Sequence, residues 1–170
     1  LLLDRKGAIA GVYNKTHPTK TEILPNQAFK GGGTRPGAFD QPIIETDFGK
    51  IGMQICYDAN WSDGWDNLKK KGAEIVLFSS AFPGGRMLNY YARKNEYYII
   101  SSTGGDARVI DISGNDLDCT SEFVRYAWAT INLEKVNVTT WPTRDSLPDV
   151  FRKYGDRLRI KVWGNTEVIT

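Results

Sequence analysis

Cys56 is the side chain whose position in the sequence best suits covalent chemistry. It follows the apolar stretch 50–55, and a helical pattern begins within a few residues. A thiol at such a strand-to-helix junction lies at the top of a sheet, where backbone N–H groups and the start of the helix stabilise a thiolate or an oxyanion. Position alone still favours the simpler interpretation of a buried core cysteine, because free cysteine is among the most buried residue types.

The elements around Cys56 must place it in that setting. Apolar runs bounded by turn residues predict strands, and the stretch between a capping Ser62 or Asp63 and Gly72 predicts a helix. In chain order, the predicted elements are strands 43–46 and 50–55, helix 62–72, strand 75–78, helix 86–96 and strand 97–101. Because strands and helices alternate here, the sequence predicts an α/β fold.

The flanking segments carry weaker patterns. Residues 8–14 predict a strand, and residues 17–40 predict a long loop of the kind that is often functional in a compact domain. Residues 109–112 and 122–133 flank a Ser-Gly-Asn turn and predict a second hairpin. After residue 134 the pattern fades, and prolines and basic residues indicate an extended tail.

Composition and charge exclude several classes of function. The formal net charge of +2 is too small to predict binding to nucleic acid or to an anionic membrane surface. No apolar run approaches the length of a membrane span. Cys56 and Cys119 are far apart and belong to no metal-binding cluster, so we expect no metal site and a reducing, cytoplasmic compartment.

An ordered set of motifs resembles the nitrilase superfamily of carbon–nitrogen hydrolases. The stretch Gly52-x-x-Ile55-Cys56-Tyr57-Asp58, with the hairpin before it, is similar to that family's nucleophile motif. Upstream, residues 11–17 are similar to its lysine motif, in which Lys precedes x-His. Downstream, residues 72–76 resemble the family's strand after the nucleophile helix, residues 92–96 resemble its later helix, and residues 104–114 resemble its late hairpin. These matches follow the family's order over roughly residues 1–135.

The resemblance implies catalysis by a Glu, a Lys and a Cys. Cys56 would attack an amide, carbamoyl or nitrile carbon, while Lys15 and the backbone N–H of Tyr57 would hold the oxyanion. The family's general-base Glu lies upstream of the Lys, but no Glu precedes Lys15 here, so we expect that base to lie outside this chain. Glu22 resembles a second Glu that supports the Lys. No cofactor and no metal are implied.

The segments after two strands are the expected source of substrate contacts. After Cys56-Tyr57-Asp58 the sequence departs from the pattern common among relatives, and Asn60 and Trp61 stand there instead. Ser80, Ala81 and Phe82 follow the strand 75–78. We expect these five residues near the substrate, although ordinary packing explains the aromatic rings of Trp61 and Phe82 equally well.

The fold implied by the resemblance is the αββα sandwich. Residues 1–170 would be the C-terminal portion of such a domain, with 134–170 as a C-terminal arm, assembled as a homodimer or larger oligomer or with a companion N-terminal chain. The implied function is thiol-dependent hydrolysis of a non-peptide C–N bond in a small amide, carbamoyl compound or nitrile. The alternatives are a non-catalytic binding or assembly module of the same fold, acyl transfer, and a Cys56–His17 hydrolase.

Overall fold

A six-stranded mixed sheet is the framework that carries the residues around Cys56. The structure, a computed structural model, describes residues 1–24, 33–139, 144–160 and 168–169. The chain divides into two units, Leu1–Ile131 and Asn132–Thr170, and the sheet belongs to the first.

The strands and helices of the first unit follow the predicted alternation. The strands are β1 Leu2–Leu3, β2 Ile9–Gly11, β3 Ile44–Thr46, β4 Gly49–Ile55, β5 Ile75–Ser80, β6 Tyr98–Thr103, β7 Arg108–Ile110 and β8 Asp116–Cys119. The helices are α1 Lys20–Ile23, α2 Ser62–Lys70 and α3 Gly85–Asn95, with a 3-10 turn at Cys56–Asn60. The α/β fold and the order strand–helix–strand–helix–strand are thereby confirmed.

The central strands run parallel and end at one edge of the sheet. The sheet order is β3-β4-β5-β6-β7-β8, with β4, β5 and β6 parallel and the outer pairs antiparallel. β3 and β4 form the predicted hairpin, in which Thr46 pairs with Gly49. Because β4 and β5 are parallel, Cys56 after one strand and Ala81 after the other lie at the same edge, where open α/β sheets bind their ligands.

Helices α2 and α3 cover one face of this sheet and close the core. Trp65 of α2 stacks on Tyr91 of α3, with ring centroids 4.5 Å apart and planes 7° apart. Both rings are buried in the core, where Trp65 also contacts Phe78 of β5. Within the described residues, no helix is long and apolar enough to cross a membrane.

Two predictions of secondary structure are wrong. Residues 122–133 form no strand, and β7 pairs instead with Asp116–Cys119. The reason is local, because Gly114 adopts a left-handed conformation (φ 79°) in the turn and the chain reverses at once. The extended tail is also wrong over Leu147–Tyr154, which is helical and has Pro148 in its first turn, a position that tolerates proline.

Other segments differ from prediction in extent. The strand predicted over 8–14 is limited to Ile9–Gly11, and the predicted loop 17–40 contains the single helical turn Lys20–Ile23. The part of that loop over residues 25–32 lies outside the described residues. In the second unit, Val138–Thr139 pairs antiparallel with Val168–Ile169.

Candidate active site

The backbone turns sharply at Cys56. Its φ of 50° lies in the left-handed region, and it begins the 3-10 turn that links β4 to α2. A non-glycine residue held there costs about 1–3 kcal/mol, and such strain clusters at functional sites. The turn leaves the thiol half-buried at the carboxyl edge of the parallel strands.

Asp58 fastens this turn to the segment that carries Lys15. Its buried carboxylate accepts hydrogen bonds from the backbone N–H of Ile55 (2.9 Å), the hydroxyl of Tyr13 (2.8 Å) and the backbone N–H of His17 (2.7 Å). A buried charge is tolerated only where it is well hydrogen-bonded, so these donors are structural necessities. Lys15, which lies between Tyr13 and His17, is thereby tied to the Cys56 turn.

A chain of buried polar side chains continues behind Tyr13. The Tyr13 hydroxyl lies 3.0 Å from the Thr16 hydroxyl. The side-chain amide of Gln41 donates to that Thr16 hydroxyl at 3.1 Å. The Gln41 carbonyl oxygen accepts a hydrogen bond from Gln54 of β4 at 2.5 Å. Burial raises the pKa of Tyr13 far above its ordinary value, with the charge of Asp58 acting in the same direction. Tyr13 is therefore a constant proton donor to Asp58. The absence of a side chain at Gly64 leaves room for both glutamines, because a Cβ there would lie 2.7 Å from Gln41 Nε2.

Lys15 and Glu22 form a close ion pair beside this anchor. Lys15 Nζ donates to both carboxylate oxygens of Glu22, at 2.7 and 3.0 Å, and the Lys15 side chain is only 11% exposed. Partial burial acts to raise the pKa of Glu22, but hydrogen bonds from Lys15 and Thr19 outweigh it and hold that pKa below its ordinary value. Glu22 is thus a carboxylate at neutral pH, and it fixes the position of the Lys15 ammonium.

A pocket of about 220 Å³ opens next to Cys56 at this edge of the sheet. Its lining residues are Cys56, Tyr57, Ala59, Asn60, Phe78, Ser80, Phe82, Pro83, Gly84 and Met87. The predicted residues Tyr57, Asn60, Ser80 and Phe82 are therefore brought together with Cys56. Among the described residues, Lys15, Trp61 and Ala81 are not part of this lining. The catalytic and binding roles of all these residues stay predictions.

Part of the pocket wall was not predicted from the sequence. Gly84 comes from the connection between β5 and α3, and Met87 comes from the first turn of α3. The Pro-Gly-Gly turn signal after an apolar strand was the available clue, because loops at the carboxyl ends of parallel strands carry ligand contacts. The anchoring role of Asp58 had no comparable signal.

A family model now relates this site to known proteins. The model for carbon-nitrogen hydrolases matches residues 1–139. The chain belongs to the carbon-nitrogen hydrolase family. The match includes the whole of the first unit and with it Cys56, Lys15 and the pocket.

Individual carbon-nitrogen hydrolase relatives agree with that assignment. The deaminated glutathione amidase of Mus musculus is 38% identical over 84 residues, which are 48% of this chain and 26% of the mouse protein. The crystal structure of the Caenorhabditis elegans NitFhit protein superimposes with a TM-score of 0.66 at 24% identity, covering 92% of this chain and 42% of that one. Saccharomyces cerevisiae Nit3, described as a member of branch 10 of the nitrilase superfamily, gives a TM-score of 0.56 at 22% identity, covering 70% of this chain and 47% of the yeast chain.

These carbon-nitrogen hydrolase matches confirm the predicted family and its nitrilase-superfamily fold. The described sheet with α2 and α3 on one face is consistent with part of the αββα sandwich. The chain spans about a quarter of the length of the mouse relative and less than half of the two solved chains. The role of residues 134–170 as a C-terminal arm stays a prediction.

The Asp58 anchor generates a direct test. Asp58→Asn keeps the size of the side chain but turns an amide NH₂ toward donors that need an acceptor, and one buried unsatisfied group costs about 1–3 kcal/mol. We expect urea denaturation of the full-length protein to show a loss of that size in the free energy of unfolding. The matched control is Asp47→Asn, because Asp47 forms an exposed ion pair with Arg5 that contributes little to the free energy of unfolding. An equal effect of the two substitutions would contradict the anchor.

Proposed function

We propose that this chain carries the nucleophile and the oxyanion-stabilising lysine of a thiol hydrolase that cleaves non-peptide C–N bonds in small amides or in related carbamoyl compounds and nitriles. The observation that carries the proposal is the joining of the strained Cys56 turn and the Lys15–Glu22 pair through the buried Asp58. Membership of the carbon-nitrogen hydrolase family and the likeness to an amidase support it.

The reaction on an amide proceeds in two halves. The Cys56 sulfur attacks the carbonyl carbon while its proton passes to a general-base carboxylate supplied from outside these 170 residues. The negative charge that develops on the carbonyl oxygen is held by the Lys15 ammonium and the Tyr57 N–H. The amine leaves with a proton and a thioester remains. Water, deprotonated by the same base, then attacks the thioester, releases the carboxylic acid and returns the thiol.

The pocket lining indicates what kind of acyl group is accepted. None of the lining side chains among the described residues belongs to Asp, Glu, Lys, Arg or His. Phe78, Phe82 and Met87 supply apolar contact, while Asn60 and Ser80 supply hydrogen-bonding groups. Burying an unpaired charge against such a surface is costly, so the acyl group is uncharged and small.

Removal of the nucleophile tests the proposal most simply. Cys56→Ala in the full-length protein removes the sulfur that forms the covalent bond, so we expect amide hydrolysis to fall to the uncatalysed background. Cys119→Ala is the matched control, because Cys119 is exposed on β8 and does not line the pocket. Product release measured by ammonia assay distinguishes them, and turnover retained by Cys56→Ala would refute the proposal.

The Lys15–Glu22 pair gives a second prediction. Lys15→Met removes an oxyanion donor and should lower kcat by about 10²–10³-fold with a smaller change in KM. Glu22→Gln should lower kcat less, because the ammonium remains but loses its fixed partner. Since the pKa of Glu22 is lowered on folding, its stabilising contribution is present above the ordinary Glu pKa and is lost as pH falls through the lowered value.

That dependence can be measured without turnover. The difference in the free energy of unfolding between the parent protein and Glu22→Gln should favour the parent at neutral pH and shrink toward zero in acid. A difference that is independent of pH would contradict the ion pair.

Acyl selectivity gives a third prediction. Amides of equal chain length, one neutral and one ending in a carboxylate, should differ in kcat/KM by more than about tenfold in favour of the neutral compound, since an unpaired charge would be desolvated. Steady-state kinetics on the two substrates provide the measurement. Equal or reversed preference would show that a charged group outside the described lining receives the acyl chain.

A further inference from the structure

Three rings form a row beside the Cys56 turn. His17 and Trp61 are stacked in parallel, with centroids 4.4 Å apart and planes 5° apart. Trp61 meets Tyr57 edge to face, with centroids 4.8 Å apart and planes at 75°. We call His17, Trp61 and Tyr57 the aromatic row. It begins two residues after Lys15 and ends on the residue that follows Cys56 and lines the pocket.

Two carboxylates lie beside the His17 ring, and one of them also accepts from its backbone. Nδ1 lies 3.3 Å from Asp58 Oδ1, and Nε2 lies 3.7 Å from a carboxylate oxygen of Asp63 in the first turn of α2. Its backbone N–H donates to the same Asp58 oxygen at 2.7 Å. Asp58 therefore holds both the ring and the backbone of His17, and the ring is not among the described residues that line the pocket. This placement suits a structural role for His17 better than a role as the general base for the Cys56 thiol.

Trp61 transmits that orientation to the pocket wall. It is the residue immediately before α2, in an extended conformation, and its ring lies between His17 and Tyr57. Trp61 is 37% exposed and Tyr57 is 41% exposed, so neither ring is enclosed by the core. The contacts within the aromatic row therefore restrict both rings.

We propose that His17 is a positioning residue, which acts through Trp61 to keep the backbone N–H of Tyr57 aligned for the oxyanion. The aromatic row and Asp58 then connect the Lys15 segment to the Cys56 turn at two separate points, so both oxyanion donors stay in register with the sulfur. The inference rests on the proposed function, because an oxyanion must form at this site. It adds a role for a histidine that the Glu, Lys and Cys chemistry leaves unused.

The test compares stacking with hydrogen bonding at position 17 in the full-length protein. His17→Phe keeps a planar ring for Trp61, and Asp58 keeps the backbone donor of residue 17. His17→Asn keeps a polar side chain but removes the ring, and His17→Ala removes both. With a neutral small amide as substrate, we expect kcat to fall by about tenfold for His17→Ala and His17→Asn, with KM changed less than about twofold, and His17→Phe to remain near the parent.

Trp61→Ala is the second variant, and it leaves Asp58 and its donors untouched. It should reproduce the loss of kcat seen in His17→Ala, and the double variant should be no slower than either single one, because both remove the same contact. Thermal midpoints are recorded for every variant. Three results would each overturn the proposal. The first is a kcat that is near the parent value in His17→Asn but reduced in His17→Phe. The second is additive effects of His17→Ala and Trp61→Ala, and the third is a kcat within about twofold of the parent in both alanine variants.

Cys56→Ala in the same assay separates this inference from the proposed function. If Cys56→Ala abolishes turnover while His17→Ala and Trp61→Ala leave kcat unchanged, the positioning role fails and the hydrolase proposal stands. If Cys56→Ala retains turnover, the hydrolase proposal fails, and the positioning role fails with it.

Discussion

The hydrogen bonds of the buried Asp58 carboxylate hold the candidate site together. One side chain accepts from Tyr13, from the end of β4 at Ile55 and from the backbone of His17, which brings two distant segments into contact. A buried carboxylate without these donors would cost several kcal/mol, so the donors must be in place whenever the chain is folded. The position of Lys15 relative to Cys56 follows from that requirement rather than from any direct bond between them.

Rigid surroundings allow the strained conformation at Cys56 to persist. The turn begins where β4 ends, and β4 is paired with β5 as far as Ile55 and with β3 near its start. On its other side the 3-10 turn is held by the Trp65 indole, which donates to the Asp58 carbonyl at 3.1 Å from within the core. Cys56 keeps its left-handed backbone conformation because the packed elements before and after it fix the path of the chain.

Sequence patterns predicted the strands and helices around this site better than the side-chain contacts within it. Apolar periodicity reports which residues are buried, so the elements from β4 to β6 and the location of Cys56 at a strand end were predictable. It does not report partners, and Tyr13 and Asp58 are 45 positions apart in the chain. The stacking of Trp61 on His17 was invisible for the same reason. The error over residues 122–133 arose because aromatic residues favour strands, yet Phe123 and Trp128 remain exposed here.

The central claim is that Cys56 forms a covalent bond with the acyl group of the substrate. Its most direct test is rapid acid quenching of the full-length protein during turnover of a small neutral amide, followed by intact-mass measurement and peptide mapping. We expect a mass increase equal to the acyl group, located on the peptide that contains Cys56. Steady turnover without such an adduct on the protein, or an adduct located on Cys119, would contradict that claim.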